Sequence, residues 1–496
     1  MSDESLKEEI LINVTPSETR AALLENGVLQ EIFIERSARR GLISNIYNGR
    51  ISRVLPGMQA AFVDIGLERT AFLHASDIAR NGAAGETANE DLPDIRSLVR
   101  EGDRLLVQVV KDPLGNKGAR LTTFITLPSR HLVLLPRSSS VGISARIDQD
   151  EERERLRLLV EELLAEHNLE CGAIVRTVAE GCSREALEAD LEYLVRLWDV
   201  IQERCRKGSV QHLVNEDLSL PLRVLRDLVT SDVETILVDS RPDFEAMQEF
   251  AATFLPGVEK RLEHYKRRRP IFDMHGIEDE IRKALDRSIP LKSGGYLIFD
   301  QTEAMTTIDV NTGAYVGHRN LEETIYKTNL EAAMAIARQL RLRNLGGIII
   351  IDFIDMEQES HREDVFNALQ EAVKKDKSRA NILKVSEFGL VQMTRKRDRE
   401  NLSQMMCEPC MYCGGNGFLK SRRSVCYEIF RKISHEGHKI AGDTVTIKVH
   451  PSVADLMLKD ETLNTENLEK ELQKRFIIVA DNEMYLEKYE IMWERS

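Results

Sequence analysis

The sequence predicts a mixed α+β protein built of several domains, and three observations carry that expectation. Its 496 residues exceed what one hydrophobic core organises. From Gly41 to Thr126, short apolar runs alternate with turn signals, as in a small barrel. From Gly294 to Met356 a hairpin, a long amphipathic helix and a run of isoleucines follow one another. Hydrophobic residues make up 42% and charged residues 30%, and no apolar run approaches membrane length, so a soluble chain is expected. The start, Met1-Ser2-Asp3-Glu4-Ser5, lacks a basic stretch followed by an apolar one, which predicts no signal peptide and a cytoplasmic protein.

Taken in order, Ile10 to Glu35 reads as strand, turn, strand, with Glu25-Asn26-Gly27 as the hairpin turn. Barrel strands are expected at Ile46–Arg50, Gln59–Asp64, Arg69–Leu73, Leu105–Val110 and Leu121–Thr126, with Asn81 to Asp94 a surface insertion. Tyr47, Phe62, Phe72, His74 and Lys117 suit a barrel face on which aromatics stack against unpaired bases and lysine meets phosphate; as an isolated pair, Phe62 and Phe72 read more readily as core. Arg146 to His167 is an amphipathic helix, and Gly172 to Thr177 is a strand ending in Arg176 and Thr177. An arginine fork beside a hydroxyl suits a phosphate, although most surface arginines only solvate. Ser183 to Arg206 is helical by period, and the stretch from Leu213 to Pro270 carries no catalytic constellation.

The richest chemistry lies between Gly294 and Met356. Tyr296–Phe299 and Met305–Ile308 form a hairpin whose second strand runs into Asp309-Val310-Asn311, which sets a carboxylate and an amide on one face of an extended chain. Leu321 to Arg343 is a long amphipathic helix stopped by Gly346-Gly347. Four isoleucines, Ile348 to Ile351, suit a strand buried on both faces, and they break into Asp352-Phe353-Ile354-Asp355. Each acid alone is most often a turn or cap residue. Carboxylates gathered at the end of a buried sheet call for a compensating cation, and magnesium suits two carboxylates, waters and a substrate phosphate. Periodicity does not choose between Asp352 and Asp355.

Downstream, Asn381 to Ser386 and Gly389 to Thr394 read as strands, and the basic run Arg395-Lys396-Arg397 is placed to face a phosphate. Then comes Cys407-Glu408-Pro409-Cys410-Met411-Tyr412-Cys413-Gly414-Gly415-Asn416-Gly417, three of the seven cysteines. A Cys-x-x-Cys pair supplies half of a four-thiolate zinc site, and the pair is either Cys410 with Cys413 or Cys407 with Cys410. A redox dithiol is the rival, but glycines follow the motif where such a dithiol has a helix. The helix Val425–His435 and the strand Thr444–Val449 open the last part of the chain.

Net charge is −14, which taken alone argues against a nucleic-acid partner. Clusters at Lys266-Arg267-Arg268-Arg269, Arg395-Lys396-Arg397 and Arg422-Arg423 nevertheless leave local basic patches; a solvated face explains most such runs.

The segments Ile308-Asp309-Val310-Asn311-Thr312-Gly313, Asn329-Leu330-Glu331-Ala332-Ala333, Ala337 to Arg343 and Gly347 to Met356 resemble the catalytic core of the RNase E/G endoribonuclease family, and the resemblance spans nearly the whole chain. It implies an RNase-H-like subdomain lacking catalytic acids, split over 1–38 and 215–280. It further implies an OB-fold RNA-binding module at 39–128, a 5′-phosphate sensor at 129–214, a DNase-I-like catalytic domain at 281–400, a zinc link at 401–417 and a small C-terminal α/β domain at 418–496. By the same resemblance Asp309 and Asp352 bind catalytic magnesium, Asn311 orients Asp309 or the substrate, and Asp355 is structural. Arg176, Thr177 and the backbone of Val133 would hold a 5′-monophosphate, and Ala145 stands where some relatives have a second arginine. Phe62, Phe72 and Lys117 would contact RNA, while Cys410 and Cys413 would share zinc between two chains, making a homodimer and leaving room for higher assembly. Single-stranded RNA, including rRNA precursors and mRNA, is the implied substrate, cut to leave a 5′-phosphate and a 3′-hydroxyl. The alternative is an RNA-binding scaffold without catalysis. The chain shows no long Arg- and Pro-rich tail, which points to the shorter members of the family, although an N-terminal piece of a longer member would look alike.

Overall fold

The computed structural model describes residues 7–79, 94–113, 118–147, 149–208, 211–230, 232–255, 257–313, 321–383, 390–397, 399–440 and 442–494. The chain forms two compact units, Met1–Met405 and Met406–Ser496. Lys117 and most of the expected insertion at Asn81 to Asp94 lie outside the described residues. Among the described residues no helix is long and apolar enough to cross a membrane.

The first sheet is assembled from distant parts of the chain. Its order is Leu262–His264, Val233–Val238, Glu8–Val14, Glu18–Glu25, Val28–Arg36. Three strands therefore stand where the sequence suggested two. The extra break falls at Thr15–Ser17, where the Thr15 amide donates to Glu18 O at 2.9 Å and the Thr15 hydroxyl closes the turn. The expected turn at Asn26-Gly27 is present, with both residues at positive φ, 51° and 75°, the conformation a two-residue hairpin requires. Glu8–Val14 runs parallel to Val233–Val238, so the segments flanking residues 39–214 share one sheet. The helices Leu220–Asp227 and Arg241–Phe254 bury its apolar side against Ile10, Ile12, Leu23 and Ile236.

The barrel forms as expected. Ile46–Leu55 pairs with Ala60–Asp64 on one side and with Arg104–Lys111 on the other, and Ala71–His74 and Arg120–Thr122 complete the ring, giving five closed strands. Closure removes sheet edges, and the interior is filled by Ile51, Val63, Leu73, Val107 and Leu121. A four-stranded sheet follows, in the order Val141–Ile143, Gly172–Val175, Leu132–Leu135, Leu127–Pro128. The helices Asp150–Glu166 and Arg184–Lys207 pack into its core, and the second is capped by Ser183, whose hydroxyl accepts from the Ala186 amide.

The central sheet runs Ser288–Pro290, Tyr296–Gln301, Met305–Asn311, Gly347–Asp352, Leu390–Arg395, Ala380–Ile382. Among the described residues only one face of it is covered. The helices Leu321–Leu342 and Glu359–Lys374 bury Ile308, Val310, Ile349, Ile351, Val391 and Met393, whereas Ile348 on the opposite face is 47% exposed. The isoleucine run is thus not buried on both sides: Ile349 and Ile351 face the helices and Ile348 and Ile350 face away, in the two-residue alternation of any strand.

The second unit holds a three-stranded sheet, Arg475–Ala480, Thr444–Val449, Tyr489–Glu494, backed by the helices Arg422–Gly437, Pro451–Lys459 and Thr462–Leu472.

Candidate active site and basic cleft

Met305–Asn311 and Gly347–Asp352 are parallel neighbours, and their register sets Asp309 directly beside Asp352. Both side chains leave the exposed face at the carboxyl ends of their strands. Asn311, two residues on and on the same face, donates from Nδ2 to Asp309 Oδ2 at 2.7 Å. Burial pushes the Asp352 carboxyl up from its usual range, and the charges of Asp309 and Asp355 push it the same way. Among the described residues, the charges acting on Asp352 are those of Asp309 and Asp355, with no cation among them. Two adjacent carboxylates with unrelieved repulsion are a donor set that suits magnesium, which uses one or two protein carboxylates and fills its other positions with water and phosphate oxygen. Among the described residues no three carboxylate, imidazole or thiol groups converge into a closed cage of the kind a structural ion takes.

What holds these groups in place was not legible in the pattern. The helix Leu321–Leu342 carries three clamps. Asn329, fully buried, donates to Ile354 O at 2.8 Å and accepts from the Ile354 amide at 3.1 Å, which fixes the chain between Asp352 and Asp355. Glu331 accepts from the amides of Lys292 and Ser293 at the turn behind Asn311. That turn needs glycine, since a Cβ on Gly295 would lie 2.5 Å from Asn311 O. Glu322 accepts from the amides of Glu357 and Gln358 and lies 3.0 Å from His361 Nδ1. A buried Asn on an apolar helix face was the one available signal.

Arg395 does not face a substrate. It is 5% exposed, lies on the helix-covered face with Val391 and Met393, donates to Asp376 at 2.6 Å and to Leu345 O at 2.8 Å, and so is a structural cation. Arg397 donates to Gly346 O at 2.8 Å.

Arg176 and Thr177 line a cleft of about 1350 Å³. Arg130, Arg146, Arg261, Lys377 and Arg379 line it too, so six cations surround it against Asp227 and Glu180. Arg176 pairs with Asp227 at 2.7 Å and also donates to Ser129 O, while Thr177 Oγ1 lies 2.9 Å from Ser144 Oγ. Val133 sits in the adjoining strand opposite Ile174 and is not among the residues lining the cleft. Ala145 lies on its wall between Ser144 and Arg146.

On the barrel, Phe62 and Phe72 are cross-strand partners with ring centroids 6.4 Å apart, and His74 follows at 6.4 Å from Phe72. The same rung continues outward to Arg53 beside Phe62 and Arg120 beside Phe72. Both phenylalanines are only half-buried, so the core reading of the pair does not hold. Half-exposed aromatic rings beside the Arg53 guanidinium are of a kind that can take stacked bases, while Arg120 is paired with Asp77 at 2.9 Å.

In the second unit the cysteine segment is a tight turn: the Gly414 amide donates to Cys410 O at 2.8 Å and the Gly417 amide to Cys413 Sγ at 3.4 Å. Amides of Cys413 and Tyr412 and the Cys413 side chain lower the Cys410 thiol's pKa. The following helix starts at Arg422, well past the motif, which is not the setting of a redox dithiol. Cys410 with Cys413, or Cys407 with Cys410, could supply half of a zinc ligand set, and both Cys407 and Cys410 are exposed.

The arrangement of an acidic pair at the end of a parallel strand pair, a basic cleft and an aromatic barrel face defines a nuclease-like class, and comparison with known proteins agrees. The chain matches the sequence model of the Ribonuclease E/G family over residues 126–398 and that of the RNase E/G thioredoxin-like domain over residues 409–496. It is 52% identical over 464 residues to Ribonuclease G of Escherichia coli K12, covering 93% of this chain and 94% of that one. It is 50% identical over 457 residues to Ribonuclease G of Haemophilus influenzae, covering 92% of each. Ribonuclease E of Escherichia coli K12 is 36% identical over 491 residues, 98% of this chain but 46% of that protein. The chain belongs to the Ribonuclease E/G family. Within it, the resemblance to the Ribonuclease G members extends over nearly their full length.

Proposed function

We propose that this protein is an endoribonuclease of the Ribonuclease G type that hydrolyses phosphodiesters in single-stranded RNA, with magnesium, and prefers substrates bearing a 5′-monophosphate. The observation that carries the reading is the lateral pairing of Asp309 with Asp352 on the exposed face of the central sheet. These two carboxylates would hold the ion, which when bound polarises the phosphate and makes a water more acidic. Asn311 keeps Asp309 in one orientation through its 2.7 Å hydrogen bond. Arg176 and Thr177 would take the terminal phosphate within the cleft, and Phe62, Phe72 and Lys117 would stack and neutralise the strand. Cleavage leaves a 5′-phosphate and a 3′-hydroxyl. Precursor rRNA and mRNA in the cytoplasm are the proposed substrates. The five-stranded sheet is read as an RNase-H-like subdomain interrupted by an OB-type barrel and the sensor, and the central sheet as DNase-I-like, with the boundaries given above. Cys410 and Cys413 would share zinc with the same pair of a second copy, making a homodimer.

The test uses a short single-stranded RNA with a 5′-monophosphate beside the same RNA with a 5′-hydroxyl, each with magnesium and with EDTA. Magnesium-dependent internal cuts, faster on the monophosphate, are expected. Asp309→Asn should abolish cutting while RNA binding and thermal unfolding stay as in the wild type; retained cutting overturns the assignment. Binding without cuts under every condition leaves the scaffold reading.

A further inference from the structure

We infer that Asp190 is a positioning residue for recognition of the RNA 5′ end, an inference that rests on the reading of Arg176 as the terminal-phosphate ligand. Asp190 sits on the helix Arg184–Lys207, is 5% exposed, and does not face the cleft that Arg176 lines. A single oxygen, Oδ2, accepts from Ser129 Oγ at 2.5 Å, from the His131 amide at 2.6 Å and from the Leu132 amide at 3.2 Å. One buried carboxylate thereby gathers the donors of one tight turn.

The acceptors of the same turn are taken by Arg176. Its guanidinium donates through Nη1 to Ser129 O, and its own amide donates to His131 O at 2.8 Å. The turn from Ser129 to His131 is thus held between Asp190 on its donor side and Arg176 on its acceptor side. Asp227 anchors the other arm of the guanidinium at 2.7 Å. With both arms fixed, the planar fork meets an incoming phosphate without a rotamer search, and charge-assisted hydrogen bonds depend steeply on such alignment. Releasing the turn frees one arm. Arg130 belongs to the same turn, so the clamp places it too; it lines the cleft, and its buried Nη1 has no hydrogen-bond partner among the described residues.

The experiment measures steady-state cleavage of 5′-monophosphate and 5′-hydroxyl RNAs by the full chain and by Asp190→Ala, Asp190→Asn and Ser129→Ala. Wild type prefers the monophosphate. Asp190→Ala should reduce that preference about tenfold by raising KM for the monophosphate RNA alone, with kcat and 5′-hydroxyl cleavage unchanged. Asp190→Asn keeps an acceptor oxygen for the three donors and should retain most of the preference. Ser129→Ala removes one donor only and should give a smaller loss. The inference is overturned if folded Asp190→Ala keeps the wild-type preference, or if cleavage of both RNAs falls in parallel. Should Asp190→Ala fail to fold, an unchanged preference in Ser129→Ala overturns it instead. A wild-type protein without any 5′ preference overturns the reading of Arg176 itself, a result visible before any variant is compared.

Discussion

Asn329 grips the backbone of Ile354 at two points, donating to its carbonyl at 2.8 Å and accepting from its amide at 3.1 Å, from a fully buried position on the long helix. Replacing Asn329 with Ala removes the side-chain partner of both the N–H and the C=O of Ile354, and for these part-buried groups the cost is about 1–3 kcal/mol in all. Because the grip lies between Asp352 and Asp355, cleavage should fall more than stability predicts. Urea unfolding beside single-turnover rates measures this; a variant that is destabilised yet cleaves normally shows that the grip serves the fold alone.

Arg395 and Asp376 form an ion pair with both side chains nearly excluded from water. Asp376→Ala strands a buried guanidinium and should destabilise the first unit by about 3–5 kcal/mol, whereas replacing both residues with apolar ones of similar size should recover most of that. Thermal unfolding of the two variants decides it. Equal losses would contradict the pairing as the cause.

Phe62→Ala and Phe72→Ala should each weaken RNA binding by about 1–3 kcal/mol, the worth of one base stacked on an aromatic ring, with little change in salt dependence. Arg53→Ala should instead flatten the salt dependence. Fluorescence titrations over a range of salt separate the two, and an unchanged slope for Arg53→Ala would remove it from the RNA face.

Burial pushes the Asp190 carboxyl up, but the nearby His131 ring, the Ser129 hydroxyl and the His131 amide outweigh burial and leave its pKa lowered. A carboxyl depressed on folding adds stability above its unfolded pKa and loses it as the pH falls through the folded value. The stability gap between wild type and Asp190→Asn should therefore narrow between about pH 7 and about pH 3. Urea unfolding at both ends tests the sign, and a gap that widens on acidification refutes it.

Cys410→Ser with Cys413→Ser should release zinc and separate the proposed dimer, read by metal analysis and light scattering. A zinc-free variant that remains dimeric would sever the link between metal and assembly.

The side-by-side placement of the two acids was legible in the sequence because strands of period two announce which side chains share a face, and Asp309, Asn311 and Asp352 each end such a run. Arg395 was misread although its signal was present: alternation places it with Val391 and Met393, and only its charge suggested solvent. Asp190 was not legible at all, and Asn329 only as an amide on an otherwise apolar helix face. Their partners lie 58–61 and 25 residues away, and local pattern carries nothing of hydrogen bonds that tertiary packing creates.

The parallel pairing of Glu8–Val14 with Val233–Val238 sets a timetable for biosynthesis. More than two hundred residues are translated before the partner strand exists, a wait on the order of ten to fifty seconds at ordinary ribosome speeds. The barrel and the sheet that follows it can fold in that interval, because their own strands pair within 46–215. The first hairpins meanwhile present an unpaired edge of Ile10, Leu11 and Ile12, an invitation to chaperones or to neighbouring nascent chains on the same message.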